Sequence, residues 1–334
     1  MDRIYQVKGV ESIYKNDKFL IVSGGDEILI PSIITVKNEF QLFQTTYLTY
    51  RYKNDELEIF NVYTKKFDIC FKNSNYILGS ARDSKEFLLT EKNSNAIHKI
   101  VDFQNEFSFI FDKGISIFDN NKLVSTSGLS YTKKNKIEVF SINNVDTPLW
   151  QYNLPEGFTI FGSPQVIEDI LFFDAYDKNS KYQLVYGLDI KTGVIKWQKK
   201  IQVTHSTRNI IAFLINGKNN LCYGYGGSQY QVFNPLTGQI VFEKDMSDYY
   251  AKGIEPNVHR NAIFNNKLWF VGGRGEKAKF GALNIATSEI DFVQDAPLEN
   301  DEQFETPVYH DGKLYLLDTG KTLHIYEDPH NNIK

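Results

Sequence analysis

Tyr186-Gly187-Leu188-Asp189-Ile190-Lys191-Thr192-Gly193-Val194-Ile195-Lys196-Trp197 is the stretch on which the reading of the fold turns. An apolar strand runs into Asp189, whose side chain starts a turn by bonding nearby backbone amides. Gly193 takes the left-handed position, and a second strand follows. Its aromatic residue, Trp197, is expected to point back into the space between neighbouring sheets. Val232-Phe233-Asn234-Pro235-Leu236-Thr237-Gly238-Gln239-Ile240-Val241-Phe242 repeats the design. Weaker copies are Ala282 to Phe292, and Val139-Phe140-Ser141-Ile142-Asn143 running on to Pro148-Leu149-Trp150.

A second unit precedes the clearer copies: an apolar strand, a tight polar turn and another apolar strand. Ser12 to Val22, Ala262 to Val271 and Pro307 to Leu317 are examples, turning at Asn16-Asp17, Asn265-Asn266 and Asp311-Gly312. These pairs accept the positive φ angles of two-residue hairpins. Similar turns fall near Asp55, Ser84, Asn120, Asp169, Gly217, Asn265 and Asp311, the last four separated by 48, 48 and 46 residues. Such spacing marks a repeat architecture, and no helical periodicity competes with it.

The pattern Ala/Leu-x-Asp-x-x-Thr-Gly-x-x-x-Trp resembles the PQQ-like (quinoprotein alcohol dehydrogenase-like) β-propeller repeat. Its Leu-Asp-x-x-Thr-Gly core is intact only from Leu188 to Gly193; residues 136 to 328 carry the resemblance and 1 to 135 only faintly. The resemblance implies an all-β chain, one domain over residues 1–334, of four-stranded antiparallel blades. Seven blades are expected, with eight as the alternative, because the spacing from Asn16 to Asn120 is irregular. The last repeat supplies three strands, about Thr306–Tyr309, Lys313–Leu317 and Thr322–Tyr326. Arg3-Ile4-Tyr5-Gln6-Val7 alternates like the missing fourth and is expected to complete the last blade, closing the ring. Quinoprotein dehydrogenases of this family carry adjacent cysteines near the cofactor and a bound calcium. This chain has no adjacent cysteines, so the resemblance implies architecture and no quinone cofactor.

Composition narrows the function. Apolar residues make up 42%, ample for a core, and 25 Phe and 20 Tyr suit half-buried pleated surfaces. With a net charge of −4 and no basic stripe, nucleic acid is not an expected partner. Neither a secretory leader nor a run of about 18 apolar residues is evident, so no membrane is expected and the chain reads as cytoplasmic. Cys70 and Cys222 lie in strand-like runs without a pairing motif and read as buried reduced thiols. Six histidines show no close ligand spacing, so no metal is expected. The glycines at 226–227 and 272–275 lack a following helix and read as tight loops rather than phosphate cradles.

What remains is a loop face. The loops between repeats, with those joining second to third strands, hold the candidate partner-binding residues His205, Arg208, Tyr225, Tyr249, Tyr250, His259, Arg260, Arg274, Glu302 and Glu305. Tyr and Arg anchor interfaces because they bury area at modest entropy cost. Asp295 to Glu305 holds five carboxylates and no Lys or Arg. The expectation is therefore a non-catalytic protein-binding propeller, of the immunity or antitoxin kind, whose partner is a toxin or effector protein. The alternative is an enzyme acting on a sugar or small metabolite at the channel mouth, using His205, Arg208, His259 and Arg274.

Overall fold

The structure is a computed structural model. It describes all residues except 16–19, 25–32, 37–39, 43–47, 54–55, 62–65, 72–75, 83–85, 92–96, 103–105, 112–114, 120–121, 131–132, 178, 180–181, 203–212, 217–218 and 329–334; from 23 to 110 it describes backbone alone. Strand is the dominant structure of the described residues, which include one short helix, Ser247–Ala251, and a 3-10 turn, Gly275–Lys277.

Eight sheets form among the described residues, against the seven repeats first expected and the eight of the alternative. Seven have four strands, and in six of these the strands lie side by side in chain order. Sheet 4 comprises Ile115–Asp119, Lys122–Ser130, Lys133–Ser141 and Trp150–Asn153. Sheet 5 comprises Thr159–Ile167, Ile170–Tyr176, Tyr182–Asp189 and Ile195–Gln202. Sheet 6 comprises Leu214–Asn216, Leu221–Gly226, Gln229–Asn234 and Gln239–Asp245. Sheet 7 comprises Ala262–Phe264, Lys267–Gly272, Lys279–Asn284 and Ile290–Asp295. The irregular stretch before them forms three sheets, and Leu48–Lys53 is an ordinary strand of sheet 2. Sheet 1 departs from the expected four antiparallel strands. It has three, Val10–Lys15, Leu20–Gly24 and Ile33–Val36, and the last pair is parallel. A parallel pair needs a crossover, so the hairpin turn used elsewhere does not operate between those two strands.

Sheet 8 is assembled from both ends of the sequence. Val308–His310, Lys313–Leu317 and Thr322–Glu327 are joined by Asp2–Lys8, which pairs antiparallel with Thr322–Glu327 from Asp2↔Glu327 to Lys8↔Thr322. The chain divides into two compact units. One holds Met1–Asp112, Arg274–Lys279 and Gln294–Lys334; the other holds Lys113–Gly273 and Phe280–Val293.

Positive φ angles at Asn265 and Asn266, and at Asp311 and Gly312, are those the hairpin pairs were expected to adopt. Turns after the third strands are built alike. Asp189 Oδ1 accepts from the amides of Lys191 and Thr192, Asn234 Oδ1 from Leu236, and Asn284 Oδ1 from Ala286 and Thr287. Gly193, Gly238 and, in the third copy, Ser288 take the left-handed position.

In the two copies that end in tryptophan, the aromatic residue lies on the next sheet. Trp150 Nε1 donates to the Ile190 carbonyl and Trp197 Nε1 to the Pro235 carbonyl, both at 2.9 Å. Each indole lies flat over the turn glycine: a Cβ on Gly193 would sit 2.6 Å from the Trp150 ring, and one on Gly238 2.5 Å from Trp197. Between sheets 5 and 6, Trp197 packs with Phe172, Val185, Phe213, Cys222 and Phe233. Similar apolar layers fill the spaces between sheets 4 and 5 and between sheets 6 and 7.

Gly238→Ala combines a clash with a rigid ring and a strained φ, and is expected to cost about 2–4 kcal/mol in urea unfolding. Trp197→Phe, which keeps the ring and loses one hydrogen bond, should cost only about 1–2 kcal/mol. Equal stability of Gly238→Ala and the parent chain would show that the indole does not rest there. Removal of residues 1–8 uncovers the edge of Thr322–Glu327 and should produce aggregates in size-exclusion chromatography; a soluble monomeric truncation would contradict this.

Candidate functional site

The long loop between sheets 6 and 7 is fastened along its whole length. Met246 N donates to Ser228 O, Asn257 N to Val271 O, and Asn261 Nδ2 to Tyr225 O. Gly272 has no room for a side chain, because a Cβ would lie 2.3 Å from the Glu255 carbonyl oxygen. The loop ends by delivering His259, whose amide donates to Asn257 Oδ1, onto the first strand of sheet 5. There its ring meets Phe161 at 4.5 Å between centroids, and Phe161 in turn meets Tyr176 edge-on at 5.5 Å. His259 is exposed on its outer side. Desolvation on its inner side, followed by the charge of Arg260, lowers its pKa, so the imidazole is neutral at pH 7 and offers both a donor and an acceptor.

Asp174 pairs across the strands with Phe161 and is buried. Burial holds its carboxyl well above the usual carboxylate range, against the opposing hydrogen bond from Gln183 at 2.5 Å. Cys222 is likewise buried, and desolvation pushes its thiol up to about 12, which makes it a core residue rather than a nucleophile.

In the other unit, the acidic loop is held by backbone bonds to the turns on either side of it. Ala296 N donates to Ala278 O, Leu298 N to Gly275 O, and Gly275 N to Glu302 O. Further on, Thr319 N donates to Gln303 O and Glu305 N to Leu317 O. Asp295, Glu299 and Asp301 stay outside, while Glu302 and Glu305 are half-buried. Arg274 reaches Asp301 at 3.4 Å and Lys279 reaches Asp295 at 3.6 Å, yet those two carboxylates remain 82% and 81% exposed, so the pairs leave them largely in water. Asp318, by contrast, is buried. It accepts from Thr322 N at 2.8 Å and from His324 Nε2 at 2.7 Å, and Arg3 lies 3.5 Å from the other ring nitrogen of His324. An open cleft of about 390 Å³ adjoins this pair, lined by Ile13, Glu305, Thr306, Val308, Leu317, Asp318, Thr319 and Lys321.

The structure sorts the candidate residues. His205 and Arg208 lie outside the described residues. Tyr225 is fully buried, edge-on to Phe270 at 5.4 Å, and burial raises its phenol pKa; it cannot touch a partner and supports the loop from beneath. Tyr249 is half-buried against that cluster with its hydroxyl toward Glu289, and Tyr250 is half-buried beside it. His259 is brought up to Phe161, and Arg260 is half-buried next to it in the chain. Arg274, Glu302 and Glu305 all belong to the acidic loop and its supporting turns. Sequence reasoning missed Phe161, Tyr176, Asp318 and Ile13; the first two could have been found as aromatic residues at facing ends of a hairpin. No three His, Cys, Asp or Glu side chains gather as a metal-binding group among the described residues, and no helix there is long and apolar enough to cross a membrane.

No family model and no curated protein matches the chain in sequence. Solved structures do match over nearly its whole length. BamB from Moraxella catarrhalis is 10% identical with a TM-score of 0.54, covering 100% of this chain and 99% of its own. The computationally designed Ika8 protein is 12% identical with a TM-score of 0.58, covering 96% of each chain. The β-propeller domain of Myceliophteria thermophila Cps50 (Swd1) is 9% identical with a TM-score of 0.51, covering 86% of this chain and 95% of that one. At these identities the likeness establishes the fold alone: an all-β chain of the β-propeller kind.

Gly275 tests the anchoring of the acidic loop. A Cβ there would lie 2.3 Å from the Asn300 carbonyl oxygen at a φ of +50°, whereas Gly253, with φ +77°, has nothing within 4 Å. Gly275→Ala should therefore strip hydrogen-exchange protection from the amides of Gly275 and Leu298, and Gly253→Ala should not. Retained protection at both amides would mean that the loop is not held through this turn.

Proposed function

We propose that this chain is a non-catalytic β-propeller that binds another protein through its loops, and that the partner presents a basic surface. At finer grain, each sheet is taken as one blade and the first strand as the clasp that closes the ring. The chain is then a cytoplasmic protein of the immunity or antitoxin kind that caps a toxin or effector.

One observation carries this reading: the loop from Asp295 to Glu305 is fixed to its neighbours by backbone bonds while Asp295, Glu299 and Asp301 face outward. Organising the backbone beforehand lowers the ordering cost of association. A cluster of one sign speeds encounter with a surface of the other and rejects acidic competitors. The buried Cys222 thiol is consistent with a reducing compartment.

The test is capture from the native lysate by the parent chain and by a variant carrying Asp295→Lys, Glu299→Lys and Asp301→Lys. The reading expects a basic protein held by the parent, lost from the variant, and released as salt rises from 50 to 200 mM, as about a Debye length of screening requires. It further expects co-expression of this chain to relieve any toxicity of the captured protein. Capture indifferent to both charge reversal and salt would sink it. Turnover of a glycan or metabolite panel that disappears in His259→Ala would favour an enzyme instead.

A further inference from the structure

The cleft beside the acidic loop has a shape and lining that the protein-binding reading does not by itself explain. Ile13, Val308 and Leu317, from three different strands, form an apolar wall. Glu305, Thr306 and Thr319 add a carboxylate and two hydroxyls. At about 390 Å³ it lies at the small end of ligand sites, sized for a side chain or small molecule rather than a whole helix.

Its rim is already built. The Glu305 amide is tied to Leu317 O, Thr319 N to Gln303 O, Gln303 N to Thr319 Oγ1, and Val10 N to Lys321 O, so the walls on both sides share one hydrogen-bonded frame. Asp318 lines the cleft too, but it is buried, with one oxygen accepting from Thr322 N and the other from His324 Nε2. Glu305 is then the half-buried carboxylate that the cleft presents. A carboxylate has about four lone-pair sites, so a contact elsewhere in the protein does not exhaust it.

We infer that this cleft is the anchor pocket for an arginine side chain of the bound protein, its methylene stem on Ile13, Val308 and Leu317 and its guanidinium on Glu305 with Thr306 or Thr319. An amphipathic cation matches the lining on both counts: the stem covers apolar surface, and the planar head takes a carboxylate in a two-pronged contact. Lys321, exposed at the rim, opposes such a ligand and so limits its affinity. The inference rests on the protein-binding reading and names the residue by which that binding is anchored.

The experiment titrates the full chain with N-acetyl-arginine amide and with its neutral isostere N-acetyl-citrulline amide, following the backbone amides of Thr306, Val308 and Thr319 by NMR. Saturable shifts are expected with the arginine probe, and binding about tenfold weaker with citrulline, the worth of one charge-assisted hydrogen bond. Glu305→Gln, a near-isosteric change, should weaken the arginine probe by a similar factor, while Lys321→Gln should tighten it. Circular dichroism of each variant confirms that it is folded. No saturable shift at these amides, equal binding of the two probes, or an arginine titration unaltered in Glu305→Gln would each overturn the assignment. If a partner is still captured under any of those results, the cleft fails and the protein-binding reading stands. If arginine binds as expected but no partner depends on the acidic loop, the cleft stands and that reading fails.

Discussion

The seating of one indole over one glycine constrains the repeats from sheet 4 to sheet 6. Trp150 and Trp197 each carry a donor that is nearly out of water and must find an acceptor, and each finds the second residue of the turn in the following sheet. The glycine that closes that turn has two reasons to be glycine at once: a left-handed backbone, and a ring lying where a Cβ would be. Trp197 is confined from both sides, since a Cβ on its cross-strand partner Gly187 would come within 2.3 Å of it. Spacing between sheets is thereby set by the thickness of an indole, and the apolar layers behind it fill the gap so defined.

The third copy shows what happens when this lock is relaxed. Phe242 stands in the place of the tryptophan and cannot donate; it is 41% exposed where Trp197 is 9%. Ser288 replaces the glycine and still adopts a φ of +60°. Lys244 bonds this turn at a different point, donating to Ser288 O while pairing with Glu289. The outer strands share a second habit, an extra residue that breaks the regular ladder. Lys196, Val241 and Ile4 each fall in such a break, on sheets 5, 6 and 8. Bulges twist an exposed edge away from regular pairing, which matters here because every large apolar side chain exposed among the described residues lies on or beside an outer strand.

Legibility followed the strength of this lock. Between Val139 and Phe292 the turn residues and the aromatic recur in phase, so the sequence announces the strands, the turns and the direction in which Trp197 points. The pairing of Asp2–Lys8 with Thr322–Glu327 was readable for a different reason: counting strands leaves the last repeat one short and the first strand unassigned. Before residue 135 the turn signature is eroded, and the parallel pair of Leu20–Gly24 with Ile33–Val36 breaks the rule on which strand counting depended. Tyr225 was misjudged because Gly226 and Gly227 mark a loop, and the residue before a loop looks exposed; the strand runs to Gly226 and is buried on both faces from Cys222 onward, Tyr225 included. Phe161 was missed for the converse reason, since the strand from Thr159 starts inside what reads as a connection.

A framework fixed by turns and rings leaves the connecting loops as the only parts free to diverge, and their chemistry differs between the two units. The loop from Met246 to Asn261 spends its aromatic residues on packing and shows solvent charges of both signs, Asp248 and Lys252, together with His259. The loop from Asp295 to Glu305 does the opposite: its buried members are small or apolar, Ala296, Leu298 and Phe304, and Asp295, Glu299 and Asp301 are exposed. Holding like charges together in a fixed loop is unfavourable in isolation, and the bonds that anchor this loop are donated and accepted by its own backbone rather than by its carboxylates. Asp295, Glu299 and Asp301 are therefore not what holds the loop in place; they add charge to a backbone fixed by other groups.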